Sequence, residues 1–227
     1  MRLRRGIVLL HRYEVYALSL KQRADVRQIR AHRIVARQRD EQRAVGTQMV
    51  PQKRERLITI GIRNDLADRC QFTFPQEHDY KPVVRDIQLD TNPDATHCAR
   101  YSKNKEAVFA LVPPGGYWRD IDPIIAKAYM KTCWDMGGGR TGILSRIGLD
   151  EPSLTVLTNP GMKQTDRCHP LEVRPFSVRE NARLQSFPDE WIFCGKLSEQ
   201  YKQVGNAVPV NLAKEIGLEI LRTLEAL

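Results

Sequence analysis

The residues best suited to chemistry begin with Gln52-Lys53-Arg54-Glu55-Arg56, three long cations set directly before an apolar run. A guanidinium fixed at a strand edge can stabilise negative charge that develops in a water-poor pocket. The same pattern standing alone also fits a solvated charged turn. Gly137-Gly138-Gly139-Arg140-Thr141-Gly142 is a basic, hydroxyl-bearing glycine loop. It suits close approach to DNA, with Arg140 as a guanine reader and Thr141 beside it, or it is an ordinary linker. Lys163, Gln164, Thr165 and Arg167 form a further polar and cationic group suited to phosphates or base edges. Cys168-His169 has no nearby ligand partners, and His169 reads as structural. The five cysteines, at 70, 98, 133, 168 and 194, show no C-x-x-C spacing. Neither a metal site nor a disulfide framework is expected.

These residues need elements to hold them. Leu57-Ile58-Thr59-Ile60-Gly61-Ile62 is a short, partly β-branched run and predicts a buried strand. Arg63-Asn64-Asp65 carries turn chemistry. Residues 72–100, rich in Pro, Asp, Asn and Thr, read mostly as loop. A helix is expected from Pro123 to Trp134, with Ile124, Ile125, Ala128 and Tyr129 on one side and the three glycines ending it. Ser153-Leu154-Thr155-Val156-Leu157-Thr158 alternates like a strand. Ser177-Val178-Arg179-Glu180 is a capping box that should start a short helix running to Ser186 and stopped by Pro188. Gly205-Asn206-Ala207-Val208-Pro209 reads as a tight turn opening a final helix. In that helix Leu212, Ile216, Ile220 and Leu224 recur every four residues as a buried stripe.

The chain has 227 residues and a net charge of +9, but the charge is unevenly spread. Residues 1–45 hold eleven Arg and one Lys against four acids, so nearly all the excess lies there and the remainder is close to neutral. This stretch is expected to be a basic arm, weakly structured or helical. Its longest apolar run, Ile7 to Leu10, is too short for a membrane span or a signal core. A cytoplasmic protein with reduced thiols, no membrane association and no bound metal is expected.

Three blocks, in order, resemble the last three conserved blocks of DNA cytosine-5 methyltransferases, known as motifs VIII, IX and X. They are Val50-Pro51-Gln52-Lys53-Arg54-Glu55-Arg56, then the stretch from Arg174-Pro175-Phe176 to Ser186-Phe187-Pro188-Asp189, then the stretch from Tyr201-Lys202-Gln203 to Asn211-Leu212-Ala213. The resemblance covers residues 50–227. It implies that Arg56 faces O2 of a flipped cytosine and that Arg54 supports it by holding nearby backbone and phosphate. Asn206, Ala207 and Val208 would line part of an S-adenosylmethionine pocket. It further implies a target-recognition region, roughly 86–165, that reads double-stranded DNA. Thr155-Val156 sits where the family often has a Thr–hydrophobic pair, and Gln52, Arg140, Thr141, Thr155, Lys163 and Arg167 are the candidate DNA contacts.

The implied fold is α+β: C-terminal pieces of a doubly wound α/β methyltransferase domain plus a small, irregular, mostly β target-recognition domain. The expected divisions are a basic arm at 1–45, a catalytic-domain segment at 46–85, the recognition domain with the second block at 86–190, and the third block with its helix returning to the catalytic domain at 191–227. A whole enzyme of this family also needs a glycine-rich cofactor turn, a Pro-Cys nucleophile and a Glu-Asn-Val segment; none occurs in this sequence. The composition break near residue 45 fits a shifted reading frame or a rearrangement, which the upstream nucleotide sequence would test. Three readings stay open. The chain is the smaller subunit of a split restriction-modification methyltransferase, completed by a chain carrying the cofactor domain and catalytic Cys; or an inactive remnant; or a free-standing sequence-specific DNA-binding module.

Overall fold

A computed structural model describes residues 7–11, 14–15, 50–54, 58–62, 66, 68–76, 78–135 and 142–227. Its regular elements in chain order are β1 (Ile7–His11), β2 (Glu14–Val15), β3 (Ile58–Ile62), α1 (Lys103–Phe109), α2 (Pro123–Met130), α3 (Val178–Leu184), α4 (Leu197–Asn206) and α5 (Val210–Glu225). The chain divides into two compact units. One takes Met1–Gly46, Glu55–Glu77 and Leu212–Leu227; the other takes Thr47–Arg54 and His78–Asn211.

In the first unit β3 forms where the β-branched run predicts it. Ile58, Ile60 and Ile62 alternate onto one face, and Ile60 and Ile62 are buried with Leu66, Phe72, Leu212 and Ile216. The stripe of α5 is therefore used as its four-residue period predicts at Leu212 and Ile216, with Ile220 packed at the margin. Thr223 rather than Leu224 is buried near its end, its hydroxyl satisfied by the Glu219 carbonyl at 2.7 Å. The sheet order is β2-β1-β3, all antiparallel, with Ile7 opposite Ile62 and His11 opposite Ile58. Ile7–His11 and Glu14–Val15 thus carry strand backbone within the basic stretch; the rest of that stretch lies outside the described residues.

The second unit corrects the expectation of a mostly β recognition domain. Among the described residues it has no strand, only isolated bridges at Gln52–Ser153, Arg146–Cys168 and Cys168–Pro175. The expected strand at 153–158 reduces to one bridged residue. It has a single backbone neighbour, residues 51–53, and the Val156 N–H is taken by the Gln52 side chain at 2.7 Å instead of by a second strand. Short helices and 3-10 turns take the place of a sheet. They pack around two apolar clusters, one centred on Phe109, Met130 and Leu144 and the other on Val84, Phe176, Leu184 and Val204.

Two helices have no expectation to match. α1 is capped by Ser102, and α4 buries only Tyr201, Val204 and Gly205. α2 starts at Pro123 under an Asp122 cap but ends at Met130, and its face is rotated from the expected one. Ala126 and Met130 are buried, whereas Ile124 is 79% exposed and Ile125 38%. The capping box at α3 is present in full: Ser177 Oγ accepts from Glu180 N at 3.0 Å, and the Glu180 carboxylate accepts from Ser177 N at 2.6 Å.

Candidate functional site

Residues 51–53 of the first block are held by the segment 153–156. Lys53 N donates to Ser153 O at 2.7 Å, and Ser153 N donates to Pro51 O at 2.9 Å. The Thr155 hydroxyl donates to Lys53 O at 3.0 Å, and Gln52 Oε1 accepts from Val156 N. The Gln52 side chain is fully buried, so it presents no group for DNA and instead clamps the Thr155-Val156 backbone. Lys53, beside it, is exposed.

Arg54 continues the same buried line. Its guanidinium Nη1 donates to Gln185 Oε1 at 3.2 Å and to the Gly205 carbonyl at 3.1 Å, and the residue is 8% exposed. Gln185, itself fully buried, donates from Nε2 to the Val204 carbonyl. The C-terminal end of α3 then grips the start of α5: Gln185 O accepts from Val210 N, and Ser186 Oγ accepts from Asn211 N, both at 3.0 Å. Glycine is required at 205 by close approach. A Cβ there would lie 2.7 Å from the Leu157 carbonyl carbon and the Thr158 nitrogen. The expected turn at 205–209 proves to be the end of α4 followed by extended backbone at Ala207. It leaves Asn206 exposed, Ala207 half-buried and Val208 51% exposed.

Gln52, Arg54, Thr155 and the 206–208 turn are therefore brought into one connected region. Lys163 and Arg167 are placed otherwise. Lys163 donates to the Tyr129 carbonyl and lies 4.3 Å over the Tyr129 ring. Half-buried Arg167 donates to its neighbour's carbonyl, Asp166 O, at 2.6 Å, and burial pushes its guanidinium pKa down. Arg56, Arg140 and Thr141 lie outside the described residues.

A second polar assembly had only its capping box as a sequence signal. The Glu180 carboxylate accepts from Arg174 Nη1 at 2.7 Å, Arg174 Nη2 at 2.9 Å, Ser177 N, and Asp90 N at 2.9 Å. His169 Nδ1 accepts from the backbone N–H groups of Leu171 and Glu172, which leaves its proton on Nε2, 3.2 Å from Glu180 Oε1. Asp90 is held in turn by Ser177 Oγ and Arg183. Burial works against the charged form of Glu180, but Arg174, His169 and the backbone donor outweigh it and bring its pKa down to about 2. His169 is structural, as its isolation in the sequence suggests. Nearby, the buried Lys105–Asp166 pair receives Leu144 N at 3.1 Å; burial raises the Asp166 pKa and the Lys105 ammonium opposes that. Among the described residues no three metal-ligating side chains group together, and no helix is long and apolar enough to cross a membrane. All five cysteines are free.

The chain is 46% identical over 181 residues to the Type II methyltransferase M.Eco47II of Escherichia coli and 52% identical over 177 residues to M.Sau96I of Staphylococcus aureus. These alignments cover 78% and 77% of this chain but only 43% and 41% of the relatives, so the chain spans under half their length. A solved structure of a prophage-encoded DNA modification methyltransferase of E. coli shares the fold with a TM-score of 0.52 at 19% identity, covering 81% of this chain and 59% of that one. The family model for C-5 cytosine-specific DNA methylases matches residues 46–222, and the chain belongs to that family.

Proposed function

We propose that this chain is the target-recognition and cofactor-closing part of a DNA cytosine-5 methyltransferase of the restriction-modification type. It works with a second chain that carries the cofactor domain and the catalytic Cys. The observation that carries the reading is the buried connection from the recognition segment 153–156, through Gln52 and Arg54, to Gln185 and the Gly205 carbonyl. It joins the three blocks whose order resembles motifs VIII, IX and X.

In this reading the target cytosine leaves the duplex, and the partner's thiolate attacks C6. S-adenosylmethionine, when bound, would supply the methyl group for C5 and leave as S-adenosylhomocysteine; loss of the C5 proton then breaks the bond from the thiolate to C6. Arg56 stabilises charge at O2 of the cytosine. Arg54 acts one step back, on backbone. Thr155, Arg140, Thr141, Lys163 and Arg167 are the candidate base or phosphate contacts of this reading. The residues present fit the cofactor as one wall only: exposed Asn206 and Val208 offer an amide and an apolar group side by side at the end of α4.

The test is complementation. The chain is expressed in cells without cytosine methylation, alone and together with the N-terminal remainder of the E. coli relative M.Eco47II, and 5-methylcytosine is mapped by bisulfite sequencing. Methylation only in the paired culture is the expected result. No methylation in the pair, while the two separated halves of the relative itself do methylate, overturns the subunit reading in favour of a remnant or a binding module. Salt-dependent DNA binding by the chain alone then separates those two.

A further inference from the structure

Of the buried side chains between the first block and the α4–α5 turn, Gln185 has no role in the reading above, and Arg54 has one only on backbone. Gln185 is uncharged, fully enclosed, and uses both ends of its amide: Oε1 accepts from Arg54, and Nε2 donates to Val204 O. Its backbone carbonyl takes Val210 N, and its neighbour Ser186 takes Asn211 N. Arg54 adds a bond to Gly205 O, the carbonyl just before Asn206. Two carbonyls in the last turn of α4 and two amides opening α5 are therefore fixed by one three-residue cluster. Asn206, Ala207 and Val208 are held from both sides but touch solvent themselves. Gln185 is fully buried and Arg54 is 8% exposed, its guanidinium turned to Gln185 and the Gly205 carbonyl.

We infer that Arg54 and Gln185 are positioning residues for the 206–208 turn: they set its place for the cofactor and do not themselves contact substrate. The inference rests on the reading of that turn as one wall of the S-adenosylmethionine site. A buried hydrogen-bonded pair suits this task because its members cannot be replaced by water, so losing one bond shifts the carbonyls it held. The effect then falls on cofactor affinity. The chemical step uses groups elsewhere and is left nearly intact.

Two measurements test it with one set of variants. Gln185→Met keeps the side-chain volume and removes both amide bonds; Arg54→Lys keeps charge and can serve only part of what Arg54→Ala abolishes. In the full chain alone, hydrogen exchange at the Ala207, Val210 and Asn211 amides should quicken about tenfold in Gln185→Met, with the α3 amides unchanged. Unchanged exchange at the turn overturns the positioning role, whatever the chain's activity. In the complemented pair, the KM for S-adenosylmethionine should rise about tenfold in Gln185→Met with kcat within about twofold, and Arg54→Lys should recover part of the loss in Arg54→Ala. A fall in kcat at unchanged KM overturns the inference in favour of a direct chemical role. A silent pair with quickened exchange supports the positioning of the turn and counts against the functional reading instead.

Discussion

The second unit contains two buried polar assemblies, and they are built on opposite principles. Around Glu180 every contact is charge-assisted: one carboxylate receives an arginine fork and two backbone donors, and its neighbour Asp90 is braced by Arg183. Around Gln52, Arg54 and Gln185 the partners are amides and carbonyls, with a single cation. The charged assembly ties together segments near 90, 169–174 and 177–183, all remote in sequence from the three cationic residues of the first block. The amide assembly ends on the turn that leaves Asn206 and Val208 exposed. In the first assembly cations meet carboxylates; in the second the one cation, Arg54, donates charge-assisted bonds to neutral acceptors.

The largest expected effect tests the first half of that contrast. Glu180→Ala removes the carboxylate that faces both Nη atoms of the enclosed Arg174, leaving it Glu172 at Nε, and should destabilise the chain by about 3–5 kcal/mol, read as a lowered denaturation midpoint. A loss under about 1 kcal/mol would show that the charged assembly carries little stability. The assembly also fixes a pH dependence. The folded pKa of Glu180, about 2, lies below its ordinary value of 4.5. Its contribution is therefore full above the unfolded pKa and is lost as pH falls from about 5 toward 2. Denaturation of wild type and Glu180→Gln across that window should show their difference shrinking as the acid is added.

Gly205→Ala comes next. The added methyl meets the backbone of Leu157 and Thr158, and backbone cannot swing aside as a side chain can. About 1–3 kcal/mol should be lost, together with the alignment of the turn. Gln52→Met, which deprives a buried Val156 N–H of its acceptor, should cost about 1–2 kcal/mol. If the amide assembly serves position more than stability, its cost stays below that of Glu180→Ala. The smallest effect belongs to Ile124→Ser, expected within about 0.5 kcal/mol, against about 2–5 kcal/mol for Met130→Ala on the same helix; equal losses would restore the face read from the sequence.

That last pair shows where sequence reading stops. Period and chemistry together located β3, α3 with its capping box, and the stripe of α5, because each has a strong local signal: β-branching, a Ser–Glu spacing, a four-residue repeat. α2 offered two candidate faces. Ile124 and Ile125 were the more apolar choice, yet the small Ala126 and flexible Met130 fit the crowded cluster around Phe109 and Leu144. α4 was illegible because Leu-Ser-Glu-Gln-Tyr-Lys-Gln-Val-Gly-Asn buries only Tyr201, Val204 and Gly205. The expected recognition strand failed for a different reason. Alternation at 153–158 is real, but the backbone bridge is at Ser153, and the Val156 N–H, which a partner strand would hold, goes to the Gln52 side-chain carbonyl.

The site was legible as a set of blocks and not as a wiring diagram. Arg54 was expected to support the active site by holding nearby backbone, and it donates to the Gly205 carbonyl. That Gln185 receives it could not be read, because residues 131 positions apart meet only in the folded chain. Gln52 carried the opposite lesson: a polar residue in a cationic run looked like a DNA contact, but its neighbours enclose it completely.

The first unit is assembled from stretches that lie far apart in the chain, with the long segment of the second unit, His78–Asn211, between Glu77 and Leu212. On a ribosome, β3 is made long before the helix that covers it. During the interval, on the order of ten seconds at ordinary elongation rates, Ile60 and Ile62 have no Leu212 or Ile216 to pack against. The pieces of the second unit, Thr47–Arg54 and His78–Asn211, are all made before Leu212. The first unit must instead close a loop as long as His78–Asn211, at a cost that grows only slowly with its length. Its apolar cluster is complete only once Leu212 and Ile216 have been made.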